Sequence, residues 1–133
     1  TYYKGNCLFL TNDKPMFDNQ LQKATEAFNE AIRVSPTTHE ALLMNARAYR
    51  FIDTDASKIE MVKNYEAFTE ALTNKKMLKD AEMKDALIES YMFIGVQNMN
   101  NNKEKAAQAF SKVLEFDSSH EYSLNALKKL NKK

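Results

Sequence analysis

The sequence is poor in the residues that punctuate and staple small proteins. Among 133 residues there are two glycines, two prolines and one cysteine. So few turn-makers disfavour an all-β chain with its many tight turns. Cys7 has no second cysteine to pair with, so no intrachain disulfide forms and the redox compartment stays open. A net charge of +1 lacks the basic excess of a dedicated nucleic-acid or anionic-membrane binder. No run approaches the roughly 18 to 20 apolar residues of a membrane span, and Thr1 opens no signal-peptide pattern. The missing initiator Met points to a processed chain or an excised segment. A cytoplasmic location is therefore one expectation, and a periplasmic or cell-envelope one, with a signal sequence ahead of Thr1, is the other.

What is present is ordinary for a globular chain: 44% hydrophobic and 28% charged residues, in a length that suits one domain. The apolar positions recur at three-and-four spacing, as in Leu21, Ala24, Phe28, Ala31 and Ile32, or in Ala106, Phe110, Val113 and Leu114. That spacing marks one buried face of a helix, and period-two alternation is nowhere sustained. Seven helices are predicted, near 2–12, 18–34, 38–52, 58–74, 80–99, 103–116 and 119–131. Pro36 ends the second, since proline cannot sit inside a helix. Asp53 to Ser57 and the run Asn100-Asn101-Asn102 are polar breaks. Three stretches read as capping boxes: Thr37-x-x-Glu40, Ser57-x-x-Glu60 and Ser118-x-x-Glu121.

One hexamer is written three times. AFNEAI at 27–32 returns as AFTEAL at 67–72 and AFSKVL at 109–114, with Phe28 to Phe68 separated by 40 residues and Phe68 to Phe110 by 42. A helical pair of this length cannot bury its own apolar face and should stack on its neighbours. Gly5, Ala46 and Gly95 place a small residue midway along the first helix of each pair, where two backbones could approach closely. Tyr49 and Tyr91 lie one turn away from the second and third of these.

In these residues the chain resembles the tetratricopeptide repeat (TPR) family, whose pattern runs aromatic, Leu-Gly, Tyr, then Ala, Phe, Ala and Pro over about 34 residues. Gly5-Asn6, Ala24, Phe28, Ala31 and Pro36 carry the first repeat, near 1–37. Ala46, Tyr49, Phe68 and Ala71 carry the second, near 38–78, with Asn64 where an Ala is expected. Tyr91, Ile94-Gly95, Ala106 and Phe110 carry the third, near 79–118, with Val113 and Ser118 replacing Ala and Pro. The stretch 119–133 resembles the terminal capping helix of such arrays. The resemblance implies a single all-α domain over 1–133, an α-solenoid of antiparallel helix pairs in a right-handed superhelix. Extra length at 12–20, 51–57 and 73–80 departs from the family, and a bundle of the same seven helices is the alternative architecture.

Nothing points to catalysis. His39-Glu40 and His120-Glu121 are the nearest approach to a metal or acid/base site. Both sit in capping boxes, and helix neighbours do not face each other. Neither H-E-x-x-H nor a Cys/His ligand spacing occurs, and two isolated glycines build no phosphate loop. Cys7, followed by Leu8, Phe9 and Leu10, reads as a small buried hydrophobe. No cofactor and no metal is expected. The methionines read mainly as core filler, with Met92 and Met99 kept as surface candidates. The Lys128, Lys129, Lys132 and Lys133 cluster complements the negative end of the last helix.

The resemblance also implies a ligand groove lined by the first helix of each pair. Carried over by position, it takes in Tyr2, Asn6 and Phe9, then Leu43, Arg47 and Arg50, then Met92, Val96 and Met99, with Asn125 and Lys129 from the cap. Arg47 and Arg50 are three apart, hence on one face, where they could hold a carboxylate or form ion pairs with Glu40 and other acids. A subset of the family clamps chaperone C-terminal carboxylates. Asn6 fits that pattern, but Tyr2, Met44, Glu89 and Phe93 occupy the other places, so this binding is not expected. The expected function is a non-catalytic protein-interaction module for a peptide or partner helix, without nucleic acid or membrane insertion. Self-assembly as a homo-oligomer, or service as a segment of a larger repeat scaffold, is the alternative. An enzyme built from His39, His120 and carboxylates is the third reading.

Overall fold

Six α-helices and one 3-10 turn make up the computed structural model, which describes residues 14–35, 38–52 and 54–131. The helices are α1 (Lys14–Val34), α2 (His39–Ile52), α3 (Asp55–Asn74), α4 (Lys84–Asn98), α5 (Lys103–Phe116) and α6 (Glu121–Asn131), with the 3-10 turn Ala81–Met83 leading into α4. No strand occurs among the described residues. The helix predicted at 2–12 lies outside them. The predicted 80–99 helix is divided, because Asp80 is extended (φ −69°, ψ 124°) and the chain enters α4 through the tighter turn.

The described helices sort into two compact units, the first ending at Ala71 and the second beginning at Leu72. In the first, α1 packs on α2, and hydrogen bonds join α2 to α3. In the second, α4 packs on α5 and α5 on α6. The hexamer phenylalanines Phe28, Phe68 and Phe110 are all fully buried. Burying a side chain of this size removes enough apolar surface to stabilise by about 1.5–3 kcal/mol, so the repeated motif marks the core position of its helix.

Gly95 has a different use from the one its spacing suggests. A Cβ there would lie 2.8 Å from Cζ and 2.9 Å from both Cε atoms of Phe110. The glycine therefore admits a ring from α5 rather than a second backbone. Phe110 continues outward to Tyr122 on α6, with ring centroids 6.0 Å apart and planes tilted by 49°.

The helix starts differ from the predicted capping boxes, and the reason is local. At α3 the cap is Thr54: its Oγ1 accepts from the Ser57 amide at 3.0 Å, while Ser57 Oγ accepts from the Thr54 amide at 2.7 Å. This is a reciprocal box with serine in the place usually held by Glu, and it leaves Glu60 a full turn inside the helix. At α6 the cap is His120, whose Nδ1 accepts from the Ser123 amide at 3.3 Å and meets Ser123 Oγ at 2.8 Å. Ser118 lies in the preceding turn, which Asp117 organises by accepting from both the amide and the hydroxyl of Ser119. α2 opens one residue later than the Thr37 box requires, with the Leu42 amide reaching Thr38 O. Thr37 itself is outside the described residues. Asn102 caps α5 by accepting from the Lys105 amide at 3.1 Å, so the last Asn of the polar run starts a helix as well as ending a break.

α3 closes with a Schellman turn. The Met77 amide reaches Leu72 O at 2.9 Å and the Lys76 amide reaches Thr73 O at 3.1 Å, with Lys76 left-handed at φ 58°.

Candidate functional site

The first unit carries a polar core that its apolar periodicity does not announce. Asn45 on α2 is fully buried. Its Nδ2 donates to Asn29 Oδ1 on α1 at 2.9 Å and to Asn64 Oδ1 on α3 at 3.2 Å. Asn29 in turn donates to the Tyr49 hydroxyl at 3.1 Å, and Asn64 Nδ2 donates to the Glu60 carbonyl at 2.8 Å. Four side chains thus tie three helices together. Asn64, the departure from the repeat pattern, is the α3 end of this ladder. Among the described residues the Oδ1 of Asn45 has no hydrogen-bond partner.

Beside this ladder a cleft of about 560 Å³ opens among the three helices. Gln22 and Thr25 from α1, Tyr49 and Ile52 from α2, Thr54 from the connector, and Ala56, Ser57 and Glu60 from α3 line it. Its size falls in the range of ordinary ligand pockets, roughly 300–1,000 Å³. Phe51 and Ile59, next in sequence to the lining residues Ile52 and Glu60, are 54% and 60% exposed. Sequence reasoning missed this cleft. The available signal was the extra length at 51–57, which places a connector and a new helix start directly against Tyr49 and Ile52.

The predicted groove residues have mixed fates. Tyr2, Asn6 and Phe9 lie outside the described residues. Leu43 is buried and adds to the core of its unit. Arg47 and Arg50 are half-buried on α2. Arg50 is engaged within its own unit: its Nη1 donates to the Tyr65 hydroxyl at 3.2 Å, and its guanidinium carbon lies 5.3 Å from the centre of the Phe51 ring. Met92, Val96 and Met99 are partly buried against the cluster of Ala106, Phe110 and Ala126, together with Leu127 and Leu130. The flexible side chains of Met92 and Met99 fill space against that cluster. Asn125 and Lys129 are exposed on α6.

The two histidines are structural in their contacts. His39 Nε2 lies 3.0 Å from Glu40 Oε1, so these neighbours do touch, contrary to the expectation from helix spacing. The His39 ring is buried, with its centroid 6.3 Å from that of Phe68. His120 is the α6 cap. Among the described residues no three His, Cys, Asp or Glu side chains converge as a metal site would require. No described helix is long and apolar enough to cross a membrane.

Comparison with known proteins bears on the fold. No protein-family model matches the chain, and no curated protein does. Among solved structures, the C-terminal part of a TPR repeat-containing protein from Cytophaga hutchinsonii superposes with a TM-score of 0.73 at 24% identity, covering 95% of this chain and 45% of that one. The chain thus has an all-α helical-repeat fold like that of a TPR repeat-containing protein, and spans slightly under half the length of that neighbour.

Proposed function

We propose that the chain is a non-catalytic protein-interaction module that docks a peptide or partner helix. The observation that carries this reading is the likeness of nearly the whole chain, 95% of it, to a TPR repeat-containing protein. A stack of helical repeats presents side chains from successive helices to one partner and needs no chemistry beyond shape, burial and hydrogen bonds. A net charge of +1 accords with a protein partner rather than nucleic acid. Arg47 and Arg50, three apart on α2, are the candidates for a partner's carboxylate.

Affinity capture tests the reading, with wild type, Arg47→Glu and Ala56→Trp as baits of equal helicity by circular dichroism. A partner held by wild type and lost from either variant supports it. The absence of any specific partner from all three baits counts against it. Self-assembly is the second reading, favoured by the exposed Phe51 and Ile59. Sedimentation at twice the monomer mass without a partner, reverting to monomer in Ile59→Lys, would favour it.

A further inference from the structure

We propose that the cleft of the first unit docks a peptide segment in which an apolar side chain stands within one helical turn of a lysine or arginine. This inference rests on the interaction-module reading and names the chemistry of the partner.

The apolar part of the cleft lining comes from Tyr49 and Ile52 on α2 and Ala56 on α3. Most polar groups at its rim are already committed. The hydroxyls of Thr54 and Ser57 close the α3 cap, and Thr25 Oγ1 donates to the Gln22 carbonyl at 2.8 Å. The Gln22 amide stands exposed at the rim and the Thr54 hydroxyl keeps its proton, and two further groups set the ligand chemistry. The Tyr49 hydroxyl accepts from Asn29 and retains its own proton for an acceptor from outside. Glu60 is the one charged side chain among the described residues lining the cleft. Its Oε1 lies 3.4 Å from Lys63 Nζ, with both side chains solvent-exposed. An exposed pair of this kind contributes less than about 1 kcal/mol, so an incoming cation competes with Lys63 on even terms.

A hydroxyl donor, a carboxylate and an apolar lining within one cleft match a peptide. Its carbonyl meets Tyr49, its apolar side chain lies on Ile52 and Ala56, and its cation reaches Glu60. Acidic segments are disfavoured here by Glu60 itself.

A randomised peptide library panned against the full chain tests this, with Glu60→Lys and Ala56→Trp as comparison baits. Both positions are open to substitution, Ala56 being exposed and the Glu60 side chain meeting only Lys63 among the described residues. The expected enrichment pairs Leu, Ile or Phe with Lys or Arg. Affinity should fall about three- to tenfold on Glu60→Lys at low salt and recover for the same peptides with acidic replacements. Ala56→Trp, which fills the cleft, should lose them altogether. Enrichment of acidic peptides that depend on Arg47 would overturn the inference and leave the interaction-module reading standing. Peptides indifferent to both variants, or no enrichment at all, would also overturn it. Partner capture decides the broader reading separately.

Discussion

Gly95→Ala sets two magnitudes against each other at one contact. Alanine favours a helix interior over glycine by about 0.5–1 kcal/mol, so the change should stabilise α4 if space allows. Space does not allow it. The new methyl would lie 2.8–2.9 Å from three atoms at the tip of the Phe110 ring, whereas carbon atoms rest at about 3.5–4.0 Å. The ring cannot retreat freely, because it is fully buried and leans towards Tyr122 on α6. Overfilling a well-packed core costs about 1–3 kcal/mol. The net expectation is a loss of about 1–2 kcal/mol, read as a lower urea midpoint with unchanged m-value by circular dichroism. A Phe110→Leu background shortens the opposing side chain, and there Gly95→Ala should cost nothing or stabilise. A variant at least as stable as wild type, with Phe110 intact, would refute the contact and the α4–α5 register built on it.

Three further outcomes follow from particular residues. Asn45→Leu leaves Asn64 Oδ1 without its donor and should cost about 1–3 kcal/mol; adding Asn64→Ala removes that orphan, so the double variant should recover most of the loss in urea unfolding. Lys76→Gly should raise stability by about 1 kcal/mol, since the left-handed φ of 58° strains an L side chain and not glycine; calorimetry showing a lower Tm would contradict the Schellman turn. Asp117 is held below its ordinary value near 3.8 by the Ser119 hydroxyl and amide. A carboxylate lowered on folding contributes stability that is present above its unfolded pKa and lost as pH falls through the folded one. Asp117→Asn should therefore lose that contribution at neutral pH, flatten the acid limb below about pH 4 and converge with wild type at low pH; an unchanged acid limb would contradict it.

Much of the fold was legible because helix burial is periodic and local. Leu21, Ala24 and Phe28, or Ala106, Phe110 and Val113, fall on one face by spacing alone, and each of these six is buried. The Asn run ends a helix through its own backbone chemistry. What was not legible depended on residues distant in sequence or on substitutions within a known motif. Ser57 and Ser123 stand at the capping-box position where Glu or Gln is the usual signal, so the α3 cap lies three residues before, and the α6 cap two residues after, the predicted one. Asn64 was visible as a departure from the repeat, but its partner Asn45 lies 19 residues away on another helix. Arg47 and Arg50 were correctly placed on one helix, whereas the Tyr65 hydroxyl that engages Arg50 belongs to the next. The cleft needs three helices at once, so no single periodic segment contains it.

Partner docking at the first unit is the central proposal for this chain. Hydrogen exchange of the full chain, with and without the captured partner, tests it most directly. Protection concentrated at residues 47–60, with Ala56→Trp abolishing it, is the predicted result. Protection confined to α5 and α6, or no change on adding the partner, would contradict it.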